Sequence, residues 1–409
     1  MNGLCTFLNQ SYTAYHTTHN VCKLLQQHGF SPLTLGEKWN LSVGSKHYVC
    51  KNGSSVVAFV VGKQGIFNIC ESHSDSPSFK VKGNCVVQSA GAKRINTEKY
   101  GGGLMYTYFD RPLKVAGRVV VETENGIEEQ LVESSYNVVI PSLAIHHNPT
   151  ANDSFAVNPQ VDTWPLVGEV GDLHNSLASG KVLDADLYVV PATQAFFAGA
   201  NNEYLCSPRL DNLTSAYTSM VALTNSAPTN IAVVACLDNE EIGSGTRQGT
   251  PLFIQQVCDA ICNALGFSPE NRTRAYENGF CLSVDNGHAV HPAHPEKSEP
   301  NFQAKINCGI VVKHHVNYST DGLSGALAKK IFADNGVAFQ DLYNRSDLRC
   351  GSTLGLSTAR TLGIRTCDIG LAQLAMHSAC ETVGTTDVET MQRALEAFLN
   401  SPINGTQTK

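Results

Sequence analysis

Residues 231–241, IAVVACLDNEE, give the clearest indication of the fold. The first seven residues are all apolar, and a short apolar run of this kind is typical of a strand buried on both faces of a sheet. Two adjacent carboxylates, Glu240 and Glu241, follow that strand. Inside a fold they would repel each other unless cations neutralised them, although a solvated loop would tolerate the same pair. Taken alone, this stretch leaves both interpretations open.

The alternation of apolar runs and turn signals continues in both directions from this strand. Patterns typical of strands occur at 56–62, 66–70, 281–284 and 302–313, and patterns typical of helices at 11–29, 251–265, 324–335 and 387–400. Strands that alternate with helices predict an α/β fold, in which a mixed, mostly parallel sheet is flanked by helices.

The middle of the chain has a different pattern. Segments such as 115–123 and 187–190 are rich in β-branched residues, and turn clusters such as 124–126 separate them. We therefore predict one discontinuous α/β domain, formed by residues 1–78 and 200–409. An inserted β-rich domain at residues 79–199 interrupts it.

Composition excludes several classes of protein. The chain has 409 residues, of which 42% are hydrophobic and 16% charged, with a net charge of −7. This balance argues against disorder and gives no indication of a nucleic-acid or anionic-membrane partner. The N-terminus lacks the pattern of a signal peptide, and no apolar run approaches the length of about 20 residues that spans a bilayer. Fourteen scattered cysteines predict reduced, mostly buried thiols and a cytoplasmic protein.

Acidic and imidazole side chains follow the predicted strands at five places. These are His73-Ser74-Asp75, Asp211-Asn212, Glu240-Glu241, Asp285-Asn286-Gly287-His288 and Met376-His377-Ser378. Each group alone could equally be a polar turn. Open α/β sheets, however, gather their ligands at the carboxyl ends of strands. Two histidines and three carboxylates, with one glutamate to spare, match the ligands that a paired zinc site requires.

Longer segments around these groups carry a resemblance that runs nearly end to end. They are SHSDSPSFKVK (72–82), YGGGLMYTYFDRPLKVAGRV (100–119), LAIHHNP (143–149), SPRLDNLTSAY (207–217), LDNEEIGSGTRQG (237–249), SVDNGHAVHPAHPEK (283–297), Cys350-Gly351-Ser352-Thr353 and MHSACE (376–381). In this order they resemble the aspartyl aminopeptidase family of metallopeptidases, whose catalytic unit is an α/β fold that holds two zinc ions.

The resemblance implies a ligand set for two zinc ions per subunit. Asp211 would bridge the two ions, His73 and Asp285 would complete one site, and Glu241 and His377 would complete the other. Cobalt or manganese can substitute for zinc at such nitrogen and oxygen ligands. The implied reaction is hydrolysis by a water molecule that bridges the two ions.

Other residues take catalytic and substrate-binding roles by the same resemblance. Glu240 would be the general base, and Asp75 would orient His73. Lys313 matches a lysine that contacts the acidic side chain of the substrate, with Tyr318 nearby. His146 matches a histidine that reaches into a neighbouring active site.

The implied substrates are peptides with free N-termini, cleaved preferentially after Asp or Glu. The resemblance also implies a homo-oligomer, a dodecamer built from dimers that the β-rich insertion forms. One alternative is the same chemistry with a preference for neutral residues. Another is a non-catalytic assembly protein descended from a peptidase. A di-metal carboxypeptidase or deacylase fits the motifs less well.

Overall fold

The computed structural model describes residues 1–402. Within them, nine α-helices form: α1 Asn2–Gln10, α2 Ala14–Gln27, α3 Leu173–Leu177, α4 Leu210–Asn225, α5 Leu252–Ala264, α6 Pro269–Glu277, α7 Gly322–Asp334, α8 Leu354–Leu362 and α9 Thr385–Leu399. The same residues form nineteen strands: β1 Ser31–Pro32, β2 Lys46–Lys51, β3 Ser55–Val60, β4 Phe67–His73, β5 Ser78–Ser89, β6 Ala92–Tyr100, β7 Leu113–Thr123, β8 Gly126–Glu133, β9 Lys181–Pro191, β10 Phe196–Ala198, β11 Tyr204–Ser207, β12 Ile231–Leu237, β13 Phe280–Val284, β14 Gly287–His288, β15 Ile310–His314, β16 Phe339–Tyr343, β17 Arg365–Gly370, β18 Ala372–Leu374 and β19 Glu381–Gly384.

The largest sheet has nine strands in the order β1-β2-β3-β12-β4-β13-β17-β15-β16. Its centre, β12-β4-β13-β17, is parallel throughout. Antiparallel pairs occur between β2 and β3, between β3 and β12, and between β17 and β15. The predicted α/β class with a mixed, mostly parallel sheet is therefore confirmed.

Helices cover both faces of this sheet, as the apolar run at 231–237 predicts. Alternate residues of β3 point to opposite faces, and every residue of the strand is buried. Val56 packs into one core with α2, α4, α7 and α9. Val57 packs into the other core with α5, α6 and α8. A strand buried on both faces cannot alternate apolar with polar residues, which explains the continuous apolar runs.

The strand predicted over 302–313 is wrong before Ile310. Asn307 and Gly309 have positive φ angles of 61° and 98°, which extended strands do not adopt. Their backbone N–H groups donate instead to the carboxylate of Asp387, at 2.6 and 2.8 Å. The segment before β15 is therefore a loop held by the last helix.

Strands β5 to β9 form a separate antiparallel sheet of five strands, in the order β6-β5-β9-β7-β8. It has its own core, to which Phe79, Val115 and Val189 belong. A third sheet joins β10, β11, β19, β18 and β14. It carries the segment between β18 and β19 that contains His377.

No helix among residues 1–402 is long and apolar enough to cross a membrane. All fourteen cysteines are free thiols, and eight of them are buried. The prediction of mostly buried thiols agrees with this count, and their reduced state in the cell stays a prediction.

Candidate active site

Three parallel strands end at the same edge of the large sheet and place acidic and imidazole groups there. His73 is the last residue of β4, Glu240 and Glu241 follow β12, and Asp285 follows β13. Because β12 and β13 both pair with β4 in parallel, their carboxyl ends lie side by side. The sheet topology thus explains why residues more than 200 positions apart meet.

Asp211 lies at the centre of the cluster, at the start of α4. Its Oδ1 is 3.5 Å from Nε2 of His73, and its Oδ2 is 3.2 Å from Nε2 of His377. Asp285 Oδ1 lies 3.6 Å from Nε2 of His73, and Glu241 Oε1 lies 3.2 Å from Nε2 of His377. Three groups of three ligand atoms result among the described residues, each within 4.8 Å. Asp211 belongs to two of them, with His73 and Asp285 and with Glu241 and His377. The third group joins His73, Glu240 and Glu241.

Both histidines are oriented in the same way. Nδ1 of His73 lies 3.1 Å from the carbonyl oxygen of Asp75, and Nδ1 of His377 lies 3.2 Å from that of Gly102. An N–H donated to each carbonyl leaves Nε2 free to face the cluster, the arrangement typical of metal-binding histidines. The carboxylate of Asp75 is slightly farther from His73, at 3.5 Å.

The carboxylate of Asp75 holds the turn that carries the two glutamates. It accepts the backbone N–H groups of Glu240 and Glu241 at 3.1 and 3.2 Å. It also accepts the hydroxyl of Tyr100 at 2.7 Å, and Asn239 donates its side-chain amide to that hydroxyl at 3.0 Å. Asp75 therefore fixes the position of two neighbouring acidic groups.

The concentration of carboxylates perturbs their acidity. Burial and, among its charged neighbours, Asp285, Glu241 and Asp75 raise the pKa of Glu240 to about 8, although His73 opposes the shift. Burial likewise raises the pKa of Glu241.

The central aspartate and its histidine partner are shifted toward their charged forms. Burial alone would raise the pKa of Asp211, but His377 and His73 hold it well below the usual range. Burial alone would lower the pKa of His377, and Asp211 and Glu241 instead raise it to about 11. The buried carboxylates thus favour a positive charge at this position.

Glu381 is a buried member of the site that the sequence patterns do not single out. Its carboxylate accepts the backbone N–H of Asp211 at 2.9 Å and that of His377 at 2.6 Å. Burial and the nearby charge of Asp211 raise the pKa of Glu381 to about 8. It is the last residue of the segment MHSACE (376–381). A single glutamate at the start of a strand forms no sequence pattern from which its role could be predicted.

The glycines after β6 pass close to the cluster. Gly101 has a φ of 72°, and a Cβ there would lie 3.2 Å from Cβ of Glu241. Gly102 supplies the carbonyl that orients His377. The left-handed backbone and the close approach both require glycine, which gives the YGGG stretch a physical reason.

Lys313, the last but one residue of β15, lies beside the cluster. Its side chain is only 2% exposed, and Nζ is 3.6 Å from Oδ2 of Asp285. The ammonium group lies over the ring of Tyr318, 5.3 Å from the centroid. Burial alone would lower the pKa of Lys313, but Asp285 and other negative groups raise it. The structure thus brings Lys313 and Tyr318 together with the acidic cluster.

His146 is the one predicted site residue that the structure does not bring to the cluster. It lies on an exposed turn of the segment between β8 and α3, away from the groups that meet within 4.8 Å. Within one subunit it contributes nothing to the site.

An α/β fold with paired carboxylate and histidine groups at the edge of its sheet defines a metal-dependent hydrolase. The family model "Aminopeptidase I zinc metalloprotease (M18)" matches residues 7–181 and 170–399. The chain therefore belongs to the M18 family of zinc metallo-aminopeptidases.

Two relatives are similar to this chain in sequence over nearly its full length. A "Probable M18 family aminopeptidase 2" of Clostridium acetobutylicum is 38% identical over 425 residues, which cover 97% of this chain and 98% of the relative. The protein of the same description from Pseudomonas savastanoi pv. phaseolicola is 35% identical and covers 98% of each chain.

Two solved structures have a similar fold over nearly the full length of this chain. The matched chain in a cryo-EM structure of the Ape4 and Nbr1 complex is 32% identical, with a TM-score of 0.92 over 98% of this chain and 85% of that chain. A chain of the S. cerevisiae mApe1 dodecamer is 26% identical, with a TM-score of 0.83 over 97% and 95% of the two chains.

Proposed function

We propose that this M18 aminopeptidase removes N-terminal Asp and Glu residues from peptides, at a site that holds two metal ions. The observation that carries the proposal is the position of Asp211. One of its oxygens faces His73 and the other faces His377, so one carboxylate is shared between two groups of ligands. A carboxylate that bridges two sites is the arrangement expected of paired metal ions.

The donor set fits two zinc ions. Oδ1 of Asp211 is buried and accepts no hydrogen bond within residues 1–402. A buried carboxylate oxygen without a donor is costly unless a cation contacts it. His73, Asp211 and Asp285 would hold one ion, and Asp211, Glu241 and His377 would hold the other. The nitrogen and oxygen ligands suit zinc, and cobalt or manganese can substitute.

Two zinc ions, when bound, supply a polarised substrate carbonyl and an activated water molecule. Glu240 is the carboxylate that the two groups containing Asp211 do not use. Its raised pKa suits a group that accepts a proton from the attacking water and returns it to the leaving amine. Asp75 holds Glu240 in place through its backbone N–H. The carboxylates at the site would attract the free α-amine of a peptide, which restricts cleavage to the first residue.

Lys313 supports the preference for acidic residues. Lys313 is a buried cation at the cluster. Of the two carboxylate oxygens of Asp285, Oδ2 lies next to Lys313 and Oδ1 faces His73. If metal ions neutralised the carboxylates, the positive charge of Lys313 would be available to pair with an aspartyl or glutamyl side chain of the substrate. Tyr318 would hold the ammonium group of Lys313 in position. One observation favours the alternative of a neutral-residue preference: Lys313 is only 2% exposed and already has a carboxylate partner.

The substrate preference is tested by kcat/KM on Asp-, Glu- and Leu-p-nitroanilide with zinc-loaded protein. The proposal predicts faster cleavage of the acidic substrates, and in Lys313→Met a loss of that preference by at least about tenfold, the cost of one charge-assisted contact. Lys330→Met is the control, because Lys330 pairs with Asp334 on the surface of α7. Faster cleavage of Leu by the wild type would favour the neutral-residue alternative. No cleavage of any substrate would favour the non-catalytic assembly protein.

We also propose that residues 1–78 and 200–409 form the catalytic domain and that the insertion at 79–199 forms dimers. Exposed apolar side chains on the second sheet support this role, among them Ile127, Leu131 and Leu183. The dodecamer of S. cerevisiae mApe1 supports an assembly of twelve subunits. In such an assembly, His146 on its exposed turn would reach the active site of a neighbour. The proposed location is the cytoplasm.

A further inference from the structure

Helix α2 and strand β2 bring two cysteines together outside the cluster of carboxylates. The sulfur atoms of Cys22 and Cys50 are 3.1 Å apart. One helical turn after Cys22, Gln26 donates its side-chain amide to the hydroxyl of Tyr48 at 2.7 Å, and Tyr48 is two residues before Cys50. Two contacts in register therefore align this face of the helix with this face of the strand.

This cysteine pair differs from the other thiols of the chain. In the part of the chain that the structure describes, no other two sulfur atoms lie within hydrogen-bond distance of each other. Cys50 is exposed and Cys22 is partly buried, whereas eight of the fourteen cysteines are buried. A disulfide has an S–S distance of about 2.05 Å, so the sulfurs must approach by about 1 Å. Rotations of the two side chains can supply that movement.

We propose that Cys22 and Cys50 form a site of reversible oxidation, at which a small-molecule disulfide converts the two thiols to an intramolecular disulfide. The thiolate of Cys50 attacks one sulfur of the oxidant, and the other sulfur leaves as a thiolate that takes up a proton. The thiolate of Cys22 then attacks the Cys50 sulfur and expels the second half of the oxidant. Two protein thiols are oxidised and one disulfide is reduced to two thiols.

The environment of the pair supports this order of events. The hydrogen bond from Cys22 lowers the pKa of the Cys50 thiol, and the same contact raises the pKa of Cys22. A thiol that is both exposed and more acidic reacts first with a small oxidant. Cys22, shielded by the helix, is then placed to resolve the mixed disulfide.

The cross-link would close a loop between two residues 28 positions apart, and it would hold a helix that also contacts the five-stranded sheet. At the start of α2, Tyr15 donates its hydroxyl to Asp186 of β9 at 2.9 Å, so the helix contacts both large sheets. A disulfide to β2 would fix this helix to the second strand of the nine-stranded sheet. Closing a loop of this length stabilises a protein of this size by a shift in Tm of about 4 °C.

The experiment equilibrates the full chain in mixtures of oxidised and reduced glutathione and follows the intact mass and the non-reduced peptide map. The expected result is the loss of two hydrogen atoms, a cross-linked peptide that contains Cys22 and Cys50, and reversal by excess reduced glutathione. Cys22→Ser and Cys50→Ser should each abolish the cross-link. Cys308→Ser, which changes the other exposed cysteine, should retain it.

Three results would overturn the proposal: a lasting glutathione adduct on Cys50, a cross-link between other cysteines, or oxidation that requires unfolding. The peptide map of the wild type decides among them even if a serine variant fails to fold. The rise in Tm on oxidation should occur in the wild type and Cys308→Ser, and should be absent from both pair variants.

Discussion

Charged residues are arranged in opposite ways at the carboxyl edge of the nine-stranded sheet and on the five-stranded sheet. At the edge, Asp211 and the carboxylates around it are withdrawn from water, and the pKa of Glu240 rises to about 8. On the five-stranded sheet, opposite charges pair near the surface, as Lys181 does with Glu122 at 2.7 Å. The first arrangement costs folding free energy and the second costs almost none.

This contrast distinguishes charges selected for chemistry from charges that keep a surface soluble. A fold retains a buried cluster of like charges only when something outside the chain compensates for it, and a metal ion is the compensation that histidine and carboxylate ligands suit. Variants at the edge should therefore affect metal binding and catalysis more than stability. Variants at the exposed ion pairs of the five-stranded sheet should affect neither.

The largest expected effect comes from Glu240→Gln. The amide keeps the size of the side chain but cannot accept a proton, so kcat should fall by about 10³-fold while the zinc content stays at the wild-type level. Steady-state kinetics and elemental analysis check both values. Glu270→Gln is the control, because Glu270 pairs with Arg274 on the surface of α6. A variant that keeps more than a tenth of the activity would contradict the assigned role.

The next effect in size is expected from Glu381→Gln. One carboxylate holds the backbone N–H groups of Asp211 and His377, and a glutamine can accept only one of them well. Zinc affinity should fall by about 10- to 100-fold, the usual cost of losing a group that orients a ligand. Competition with a chromophoric chelator measures it. Glu396→Gln is the control, because Glu396 accepts the side-chain amide of Asn225 at the C-terminal end of α4, and it should leave the affinity unchanged. An unchanged affinity in Glu381→Gln would contradict the prediction.

A smaller effect is expected from Tyr100→Phe, which removes the hydroxyl that Asp75 accepts at 2.7 Å. Losing this buried hydrogen bond should lower the free energy of unfolding by about 1–2 kcal/mol. Because Asp75 holds the turn of Glu240, kcat should also fall, with KM little changed.

Tyr276→Phe separates the two effects of the Tyr100 variant. Tyr276 donates its hydroxyl to Asp259 at 3.1 Å, on the helical layer away from the cluster. The Tyr276 variant should lose stability and keep the wild-type kcat. Equal kcat values in the two variants would contradict the proposal that Tyr100 positions Asp75.

The smallest effect is expected on the five-stranded sheet, from Lys181→Ala. Both partners of its ion pair are more than half exposed, so water screens the attraction. Chemical denaturation should show a change in unfolding free energy below about 0.5 kcal/mol, with kcat unchanged. A loss of more than about 1 kcal/mol of unfolding free energy would show that exposed ion pairs on this sheet stabilise the fold substantially, which would contradict the contrast with the buried cluster.

The sequence predicts the α/β class and most of its central elements because buried parallel strands have continuous apolar runs. The strand at residues 231–237 has the predicted bounds. The loop before Ile310 could not be foreseen, because the groups that hold it belong to Asp387, about 80 residues later. Local patterns carry no information about such distant hydrogen bonds.

For the site, the sequence predicts the residue types and their places after strands, and the geometry adds their partners. Pattern and resemblance both point to Asp211 and His377, and the two side chains meet in the structure. Glu381 was not singled out, because its role consists of accepting backbone N–H groups, which leave no pattern. The contact proposed for His146 involves a second subunit, which the sequence of one chain does not describe.

The most direct test of the account is the activity of protein stripped of metal by a chelator and then supplied with zinc in measured amounts. The account predicts no hydrolysis of an N-terminal amino acid p-nitroanilide by the stripped protein. Activity should return as zinc is added and reach its plateau at two ions per chain. Full activity without any metal, or zinc binding that never restores hydrolysis, would contradict the claim that the cluster around Asp211 is the catalytic metal site.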